Sequence, residues 1–203
     1  PETKDNDFTW KDFQARNNNE LAAIYGNFIN RVVVLTHKYY NGIVPSPNEF
    51  SEVDEQTLTE LKAYPAVIAS SIERYRFREA LGELMNVARL GNKYLADEEP
   101  WKMVKTDPER VKTQMYVALQ IATALAILSE PFLPFTTQKL VKTLHCNVST
   151  RLIIQLQHRH KRLLRNLYIA HLTHSLFPFF LFLQQFSFTG NISSVTFGSH
   201  VFP

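Results

Sequence analysis

Two polar side chains four residues apart, Asn27 and Arg31, lie beside an apolar stripe and have the chemistry to recognise an unpaired nucleic-acid base. Residues at this spacing are neighbours on one face of a helix. An Asn amide offers a donor and an acceptor, and an Arg guanidinium offers a planar fork of donors, so together they can complement the edge of a base. Taken alone, such a pair is more typical of a solvated helix face or of a cap to a neighbouring loop.

A second candidate is Trp101, which follows Pro100 just past a predicted helix end. A lone Trp is more often part of a hydrophobic core. An indole on a turn can also serve as a platform on which an unpaired RNA base stacks, at about 1–3 kcal/mol per base. The sequence therefore offers two elements that single-stranded RNA recognition uses.

Signatures of catalysis are missing from the chain. It contains no H-E-x-x-H, no G-x-S-x-G and no glycine-rich phosphate loop, and it has six glycines in all. Five of the histidines from position 145 onward include an H-x-H and an H-x-x-H pattern, namely His145, His158, His160, His171 and His174. No acidic residue follows Glu130 to orient them as ligands. We therefore expect no catalytic residue and no metal site.

The periodicity of apolar residues predicts helices throughout residues 1–145. A short segment at 10–16 leads into a long helix from Asn17 to Tyr40, which Asn41-Gly42 caps. After a loop at 43–52, a helix begins near Asp54, and Pro65 either kinks it or divides it in two. No strand pattern and no repeat is present.

Three further helices complete the prediction. The first begins at Phe77 and finishes in the acidic turn before Pro100. The second begins at Asp107-Pro108-Glu109, which combines an N-cap, a proline at the first helical position and an early acid, and it runs to Leu128. The third covers residues 134–144. The predicted fold class is all-α, a helix bundle.

Charge divides the chain at His145. Residues 1–145 carry 17 Lys and Arg against 19 Asp and Glu, a net charge of −2, whereas the remainder carries 5 Lys and Arg and no acid. Average composition predicts roughly nine acids in the 73 residues after Glu130. We therefore predict a bundle over residues 1–145 and an atypical, poorly ordered basic and aromatic tail over 146–203 that is not a native domain.

Three explanations of the tail stay open. An out-of-frame or read-through extension accounts for the missing acids and for the eight phenylalanines between Phe177 and Phe202. A membrane-surface anchor accounts for a basic amphipathic segment at 151–170 followed by aromatics, although the apolar run Leu176–Leu183 is too short to span a bilayer. A partner-binding extension is the third.

The order of several motifs resembles one family. These motifs are Asn19-Glu20-Leu21, Gly26-Asn27-Phe28-Ile29-Asn30-Arg31, Phe77-x-x-Ala80-Leu81, Asn92-x-Tyr94 with Pro100-Trp101, and Pro131-Phe132-Leu133-Pro134. Over about residues 7–145 the chain is similar to the anticodon-binding domain of methionyl-tRNA synthetases. The combination of Asn-x-x-x-Arg with Pro-Trp is typical of the methionyl enzyme, whereas related class I synthetases share the bundle and the Pro-Phe-x-Pro ending.

The resemblance implies a class I synthetase type of helix bundle and a role for each matched residue. Asn27 and Arg31 would contact the first anticodon base, cytosine, and Trp101 would stack on it. Asn30, Asn92 and Tyr94 would shape the site. The partners implied are the tRNA(Met) anticodon stem-loop with CAU and the catalytic domain of the same polypeptide. DNA is excluded as a partner, and a membrane is not expected to be one. The net charge of −2 predicts weak RNA binding by this module alone.

The catalytic signatures of that family, of the H-I-G-H and K-M-S-K-S type, are not in the chain. We therefore expect a fragment that cannot attach methionine alone and that needs no cofactor, whereas the parent ligase would use ATP and Mg²⁺. A single cysteine, Cys146, and a hydrophilic start without Met favour a cytoplasmic piece of a longer protein. The alternative is a helical protein-interaction module without RNA binding, in which Asn27, Arg31 and Trp101 only stabilise packing.

Five basic residues, Arg74, Arg76, Arg78, Arg89 and Lys93, have two interpretations. They form either a local basic patch or ion pairs with the acids Glu73, Glu79 and Glu83 on the same helices.

Overall fold

The computed structural model describes residues 7–144, and every regular element in that range is a helix. The all-α fold class predicted from sequence is therefore confirmed. The predicted tail at 146–203, with its histidines, its basic segment and its apolar run, lies outside the described residues.

The chain begins with one helical rod in three parts: α1 (Trp10–Arg16), a π-helical stretch (Asn17–Gly26) and α2 (Asn27–Tyr40). Thr9 caps its start by accepting a hydrogen bond from the backbone N–H of Asp12 at 3.1 Å. Asn41, with φ of 50°, and Gly42, with φ of 77°, end it in the left-handed region as predicted. The sequence predicted an α-helix from Asn17 onward, but the spacing of apolar residues does not separate the wider π turn from the α turn.

The second long helix, α3 (Glu52–Glu73), begins in a capping box formed by Ser51 and Asp54. It continues through Pro65 without dividing, which settles the question that this proline raised. Proline removes one backbone hydrogen bond. Leu61 and Ile68, on either side of it, are buried, and α3 packs along α4, so tertiary packing holds the helix together across the proline.

Four more helices follow: α4 (Phe77–Glu98), the single turn α5 (Pro100–Met103), α6 (Pro108–Leu128) and α7 (Pro134–Thr143). Asp107 caps α6 by accepting from the backbone N–H of Arg110 at 2.9 Å, and Pro108 occupies the first turn, as the sequence predicted. Glu99, with φ of 40°, separates α4 from α5. Trp101 therefore lies in a helical turn of its own, although the sequence placed it on an irregular turn.

The core is centred on α6, which packs against α2, α3, α4, α5 and α7. Thirteen of its residues are buried. Within the described residues, α6 is the one helix whose length and apolar composition would suit a membrane span, and 72% of its apolar window is buried inside the bundle. Its apolar circumference is thus explained by the helices around it.

Candidate nucleic-acid interface

The structure brings Arg31 of α2 together with Trp101 of α5. The guanidinium carbon of Arg31 lies 5.0 Å from the centroid of the indole ring, which is the geometry of a cation–π contact. Both side chains are partly buried. The two residues that the sequence singled out separately, on an apolar helix and past a helix end, therefore form one surface feature.

Asn27 lies one helical turn before Arg31 on the same face of α2, and it is exposed. Its Nδ2 donates a long hydrogen bond of 3.4 Å to Oδ1 of Asn92. Within residues 7–144, Oδ1 of Asn27 has no hydrogen-bond partner, so its acceptor is available beside the Arg31 donors. The face thus presents an amide acceptor, a fork of donors and an aromatic ring.

Asn92 of α4 fixes the orientation of this amide pair. Its Nδ2 donates to the carbonyl oxygen of Ile24 at 2.9 Å and to that of Ala88 at 3.0 Å. Because both partners are acceptors, they hold the nitrogen inward and turn Oδ1 of Asn92 toward Asn27. Ile24 belongs to the π-helical stretch, so Asn92 ties α4 to the start of α2. This bridging role is specific to the folded chain, and the sequence predicted only that Asn92 supports the site.

Close packing of α2 on α4 depends on Gly91, next to Asn92. A Cβ atom built on Gly91 would lie 2.4 Å from Cε2 and Cζ of Phe28, whose side chain is fully buried. No real side chain fits in that space. A glycine inside a predicted helix is the sequence signal that could have indicated this close approach.

Trp101 is held in place by the turn that precedes it. Glu99 adopts a left-handed conformation, its N–H donates to the carbonyl of Leu95 at 3.2 Å, and Pro100 is buried. Lys102 forms an exposed ion pair with Glu99 at 2.7 Å across the same turn. The fixed φ of proline and the left-handed residue before it set the direction in which the indole leaves the backbone.

The two other predicted supporting residues, Asn30 and Tyr94, are placed differently. Asn30 is exposed on α2, three residues from Asn27. Tyr94 is buried, with 2% of its surface exposed, and it follows Asn92 by two positions, so it lies toward the opposite side of α4. The structure therefore brings Asn27, Arg31, Asn92 and Trp101 together, and Tyr94 lies apart from them.

Tyr94 belongs to a separate cluster of buried polar and charged side chains. Its hydroxyl donates to Oδ1 of Asp54 at 2.5 Å, and Asp54, which is fully buried, also pairs with Arg110. Arg110 forms a second ion pair with Glu98 at 2.6 Å. Burial, followed by the hydrogen bond to Asp54, raises the pKa of Tyr94 above its usual range. The cluster joins α3, α4 and α6, and no sequence pattern predicts it because Asp54, Tyr94 and Arg110 are far apart in the chain.

The carboxyl of Asp54 is kept ionised by these contacts. Burial raises its pKa, but hydrogen bonds from Arg110 and Tyr94 outweigh that effect, so the net result is a pKa below the usual value. A buried charge with satisfied partners is a rigid junction between helices.

Three of the five basic residues, at the turn between α3 and α4 and on α4, are engaged locally. Arg76 pairs with Glu79 at 3.3 Å, Arg74 donates to the carbonyl and hydroxyl oxygens of Ser70, and Arg89 donates to Asn86. Of the two interpretations, the ion pair is found for Arg76, whereas Arg74 and Arg89 bond to neutral groups. Residues 7–144 contain no group of three or more His, Cys, Asp or Glu that could hold a metal ion.

Two family models match the chain. Residues 44–170 match the model of the anticodon-binding domain of methionyl tRNA ligase, and residues 1–33 match that of class I tRNA synthetases (M). The chain therefore belongs to the family of methionyl tRNA ligase anticodon-binding domains. The matched range passes the predicted boundary at His145, and that boundary stays a prediction.

Relatives are methionine–tRNA ligases. The chain is 89% identical over 144 residues to that of Flavobacterium psychrophilum, which covers 71% of this chain and 21% of the ligase. It is 58% identical over 145 residues to that of Phocaeicola vulgatus, with the same two coverages. The chain thus spans about a fifth of the length of the curated relatives it matches.

Solved structures show the same fold. A Mycobacterium tuberculosis methionyl-tRNA synthetase bound by methionyl-adenylate superposes with a TM-score of 0.67 at 23% identity, covering 71% of this chain and 29% of that one. The unliganded synthetase of the same organism gives a TM-score of 0.64 at 24% identity, covering 67% and 28%. At this level of identity the likeness concerns the fold alone.

Proposed function

We propose that the chain recognises the anticodon of tRNA(Met) and that Asn27, Arg31 and Trp101 bind its first base, cytosine. The observation that carries this proposal is the contact of Arg31 with Trp101 at 5.0 Å, on the face of α2 where the amide of Asn27 is exposed. A flat ring, a fork of donors and an oriented amide are the parts that recognition of an unstacked base requires.

Each group has a partner on the base. Cytosine presents a carbonyl oxygen and a ring nitrogen as acceptors, which the Arg31 fork complements. Its exocyclic amine is a donor, which Oδ1 of Asn27 accepts. Uracil lacks that amine and presents N–H at the ring nitrogen, so it would leave polar groups unpaired, which is a strong source of discrimination.

The proposed binding includes a rearrangement at Trp101. Arg31 covers one face of the indole in the free chain. In the proposed complex the base takes this place over the ring, and Arg31 turns its donors to the edge of the base. The cation–π contact keeps the ring oriented until then, which lowers the entropy lost on binding.

The parent polypeptide is proposed to be a cytoplasmic ligase that attaches methionine to tRNA(Met) with ATP and Mg²⁺. In this proposal the catalytic domain is a second partner, because this chain matches only a fifth of its relatives' length. The described bundle contributes recognition of the anticodon, and the catalytic domain contributes the chemistry.

Binding of anticodon stem-loops to the full chain tests the proposal. We expect a CAU loop to bind more tightly than loops with U, A or G at the first position. Trp101→Ala should weaken CAU binding by about 1–3 kcal/mol, roughly 5- to 150-fold. Trp10→Ala is the matched control, because Trp10 is exposed on α1. Equal affinity for all four loops would instead favour a protein-interaction module, and so would a Trp101→Ala chain that loses its helical circular dichroism.

A further inference from the structure

One buried amide contacts both sides of the turn that carries Trp101. Gln114 of α6 is fully buried, and its Nε2 donates to the carbonyl oxygen of Glu98 at 3.2 Å and to the Glu98 carboxylate at 2.8 Å. The same nitrogen donates to Sδ of Met103 at 3.2 Å. Glu98 is the last residue of α4, and Met103 is the last residue of α5. Gln114 therefore joins both ends of the segment 99–102 to the central helix.

The carboxylate of Glu98 is held from two positions on α6. Arg110 donates to Oε2 of Glu98 at 2.6 Å, and Gln114 donates to the same oxygen from one helical turn later. The side chains of Arg110 and Glu98 are 17% and 15% exposed, so water competes little for this contact. The end of α4 thus has a defined position on α6, from which the α5 turn begins.

The segment between these contacts has a constrained backbone. Glu99 has a φ of 40°, a left-handed conformation that is uncommon for a residue other than glycine. Such a conformation persists where the surrounding structure fixes it. Pro100, which follows, is buried and has a restricted φ. With both ends of the segment bonded to Gln114, the backbone at Trp101 retains little freedom.

The orientation of the Gln114 amide is determined by its partners. Turning the amide over would place Oε1 against the carbonyl and carboxylate oxygens of Glu98, which are acceptors. In the orientation found, Oε1 is buried and has no hydrogen-bond partner within residues 7–144. A buried acceptor without a partner lowers stability, and an apolar side chain of the same shape would avoid that loss. The donors of Gln114, which hold the α5 turn, therefore explain why an amide occupies this position.

We propose that Gln114 is a positioning residue for Trp101. It holds α5 against α4 and α6, so that the indole ring stays on the surface that it forms with Arg31. Gln114 is fully buried, and it acts on RNA binding through Trp101 alone. This inference rests on the proposed recognition of the anticodon, and it adds a residue of the core to those that determine affinity for RNA.

Rotation of the Trp101 ring in the free chain tests the positioning without RNA. Trp10→Phe leaves Trp101 as the single tryptophan, since the chain has two. In this background Gln114→Met fills the site without a donor, and we expect a faster decay of tryptophan fluorescence anisotropy at a nearly unchanged urea midpoint. Gln120→Met is the matched control, because Gln120 also lies on α6 with a buried amide atom that has no partner. An unchanged decay in folded Gln114→Met would overturn the proposal.

Affinity for the CAU stem-loop separates positioning from a purely structural role. Gln114→Met should weaken binding about fivefold, the lower end of what stacking on one ring contributes. In a Trp101→Ala background the same substitution should change affinity by less than about twofold, because the residue through which it acts is gone. An equal loss in both backgrounds would show a structural role only and would overturn the proposal. Gln120→Met should leave affinity unchanged in both.

The measurements with and without RNA fail independently. If the parent chain binds loops with all four first bases equally, the proposed recognition of cytosine fails, and the anisotropy decay still decides whether Gln114 positions Trp101. If Gln114→Met loses its helical circular dichroism, Gln114→Asn replaces it. This variant keeps a buried amide but is one methylene shorter, which withdraws the donor from Glu98 and Met103. A folded Gln114→Asn chain with an unchanged decay would likewise overturn the proposal.

Discussion

Arg31 and Trp101 lie seventy residues apart in sequence, yet the Arg31 guanidinium covers the indole ring at 5.0 Å. The contact is made between α2 and the single turn α5, so it depends on the packing of both elements on the bundle. It also means that the ring has a cationic partner before any ligand is present.

The planar fork of Arg31 distinguishes it from lysine at this position. Arg31→Lys keeps the charge but loses the flat stacking surface and the paired donors. We expect affinity for the CAU stem-loop to fall about tenfold, and the preference for cytosine over uracil to narrow by about 1–3 kcal/mol. Isothermal titration with both loops measures this. The control is Lys38→Arg, at an exposed position farther along α2, which should leave both affinities unchanged. If Arg31→Lys weakens binding of both loops equally, Arg31 contributes charge alone.

Hydrogen bonding by Asn92 predicts a coupled effect on Asn27. Asn92→Ala removes the donor to the carbonyls of Ile24 and Ala88 and the acceptor for Asn27. We expect a loss of about 1 kcal/mol in unfolding free energy and a further loss of RNA affinity, because Asn27 is no longer oriented. In a double-mutant cycle on stem-loop affinity, Asn27→Ala should add little to Asn92→Ala. Full additivity would show that the two amides act independently.

The close approach of Phe28 to Gly91 predicts a contrast between two glycines of α4. Gly91→Ala forces a Cβ into the Phe28 ring and should destabilise the chain by about 1–3 kcal/mol. Gly82→Ala meets nothing within 4 Å and should stabilise it by about 0.5–1 kcal/mol, because alanine favours the helix. Urea denaturation compares them. A loss of stability for both substitutions, or a gain for both, would contradict the packing described.

The buried cluster predicts a dependence of stability on pH. The pKa of Asp54 is lowered in the folded chain, so the stability that its charge contributes is present above the unfolded pKa, near pH 4. It is lost as pH falls through the lower, folded pKa. Asp54→Asn should therefore lower the free energy of unfolding by about 3 kcal/mol near neutral pH. The difference in unfolding free energy between this variant and the parent chain should shrink below about pH 4.

Two variants serve as controls for this pH dependence. Tyr94→Phe keeps the carboxylate and removes one donor, so it should cost about 1–2 kcal/mol. Asp12→Asn breaks an exposed ion pair with Arg16 and should change stability little at any pH. If the difference in unfolding free energy between Asp54→Asn and the parent chain is constant from pH 7 to pH 3, the carboxyl of Asp54 is not ionised as described.

Local signals in the sequence predicted the ends of several helices. The backbone preferences of the residues at Asn41-Gly42 predicted the end of α2, and those at Asp107-Pro108 predicted the start of α6. Both helix ends were confirmed. The π-helical stretch could not be predicted. A π-helix differs from an α-helix in which backbone carbonyl accepts from each N–H, and side-chain types do not show that difference. Pro65 was ambiguous for a similar reason, since packing against α4 decides whether the helix survives.

The candidate site was predictable only as separate residue types. Asn27, Arg31 and Trp101 were chosen for their chemistry, and their meeting depends on how α5 returns to α2. The ties that hold the site, from Asn92 to Ile24 and from Asp54 to Arg110, join positions 68 and 56 residues apart. Such pairings are fixed by tertiary packing, and no local pattern in the sequence encodes them.

The unbroken rod from Trp10 to Tyr40 determines the rotation, around the helix axis, between the side chains at its two ends. A residue added to or deleted from a helix rotates everything beyond it by about 100° around the axis. The π-helical stretch sets the angle between the face that carries Trp10 and Phe13 and the face that carries Asn27 and Arg31. Shortening that stretch by one residue would leave both faces intact but point them in new relative directions, so the rod acts as an angular spacer.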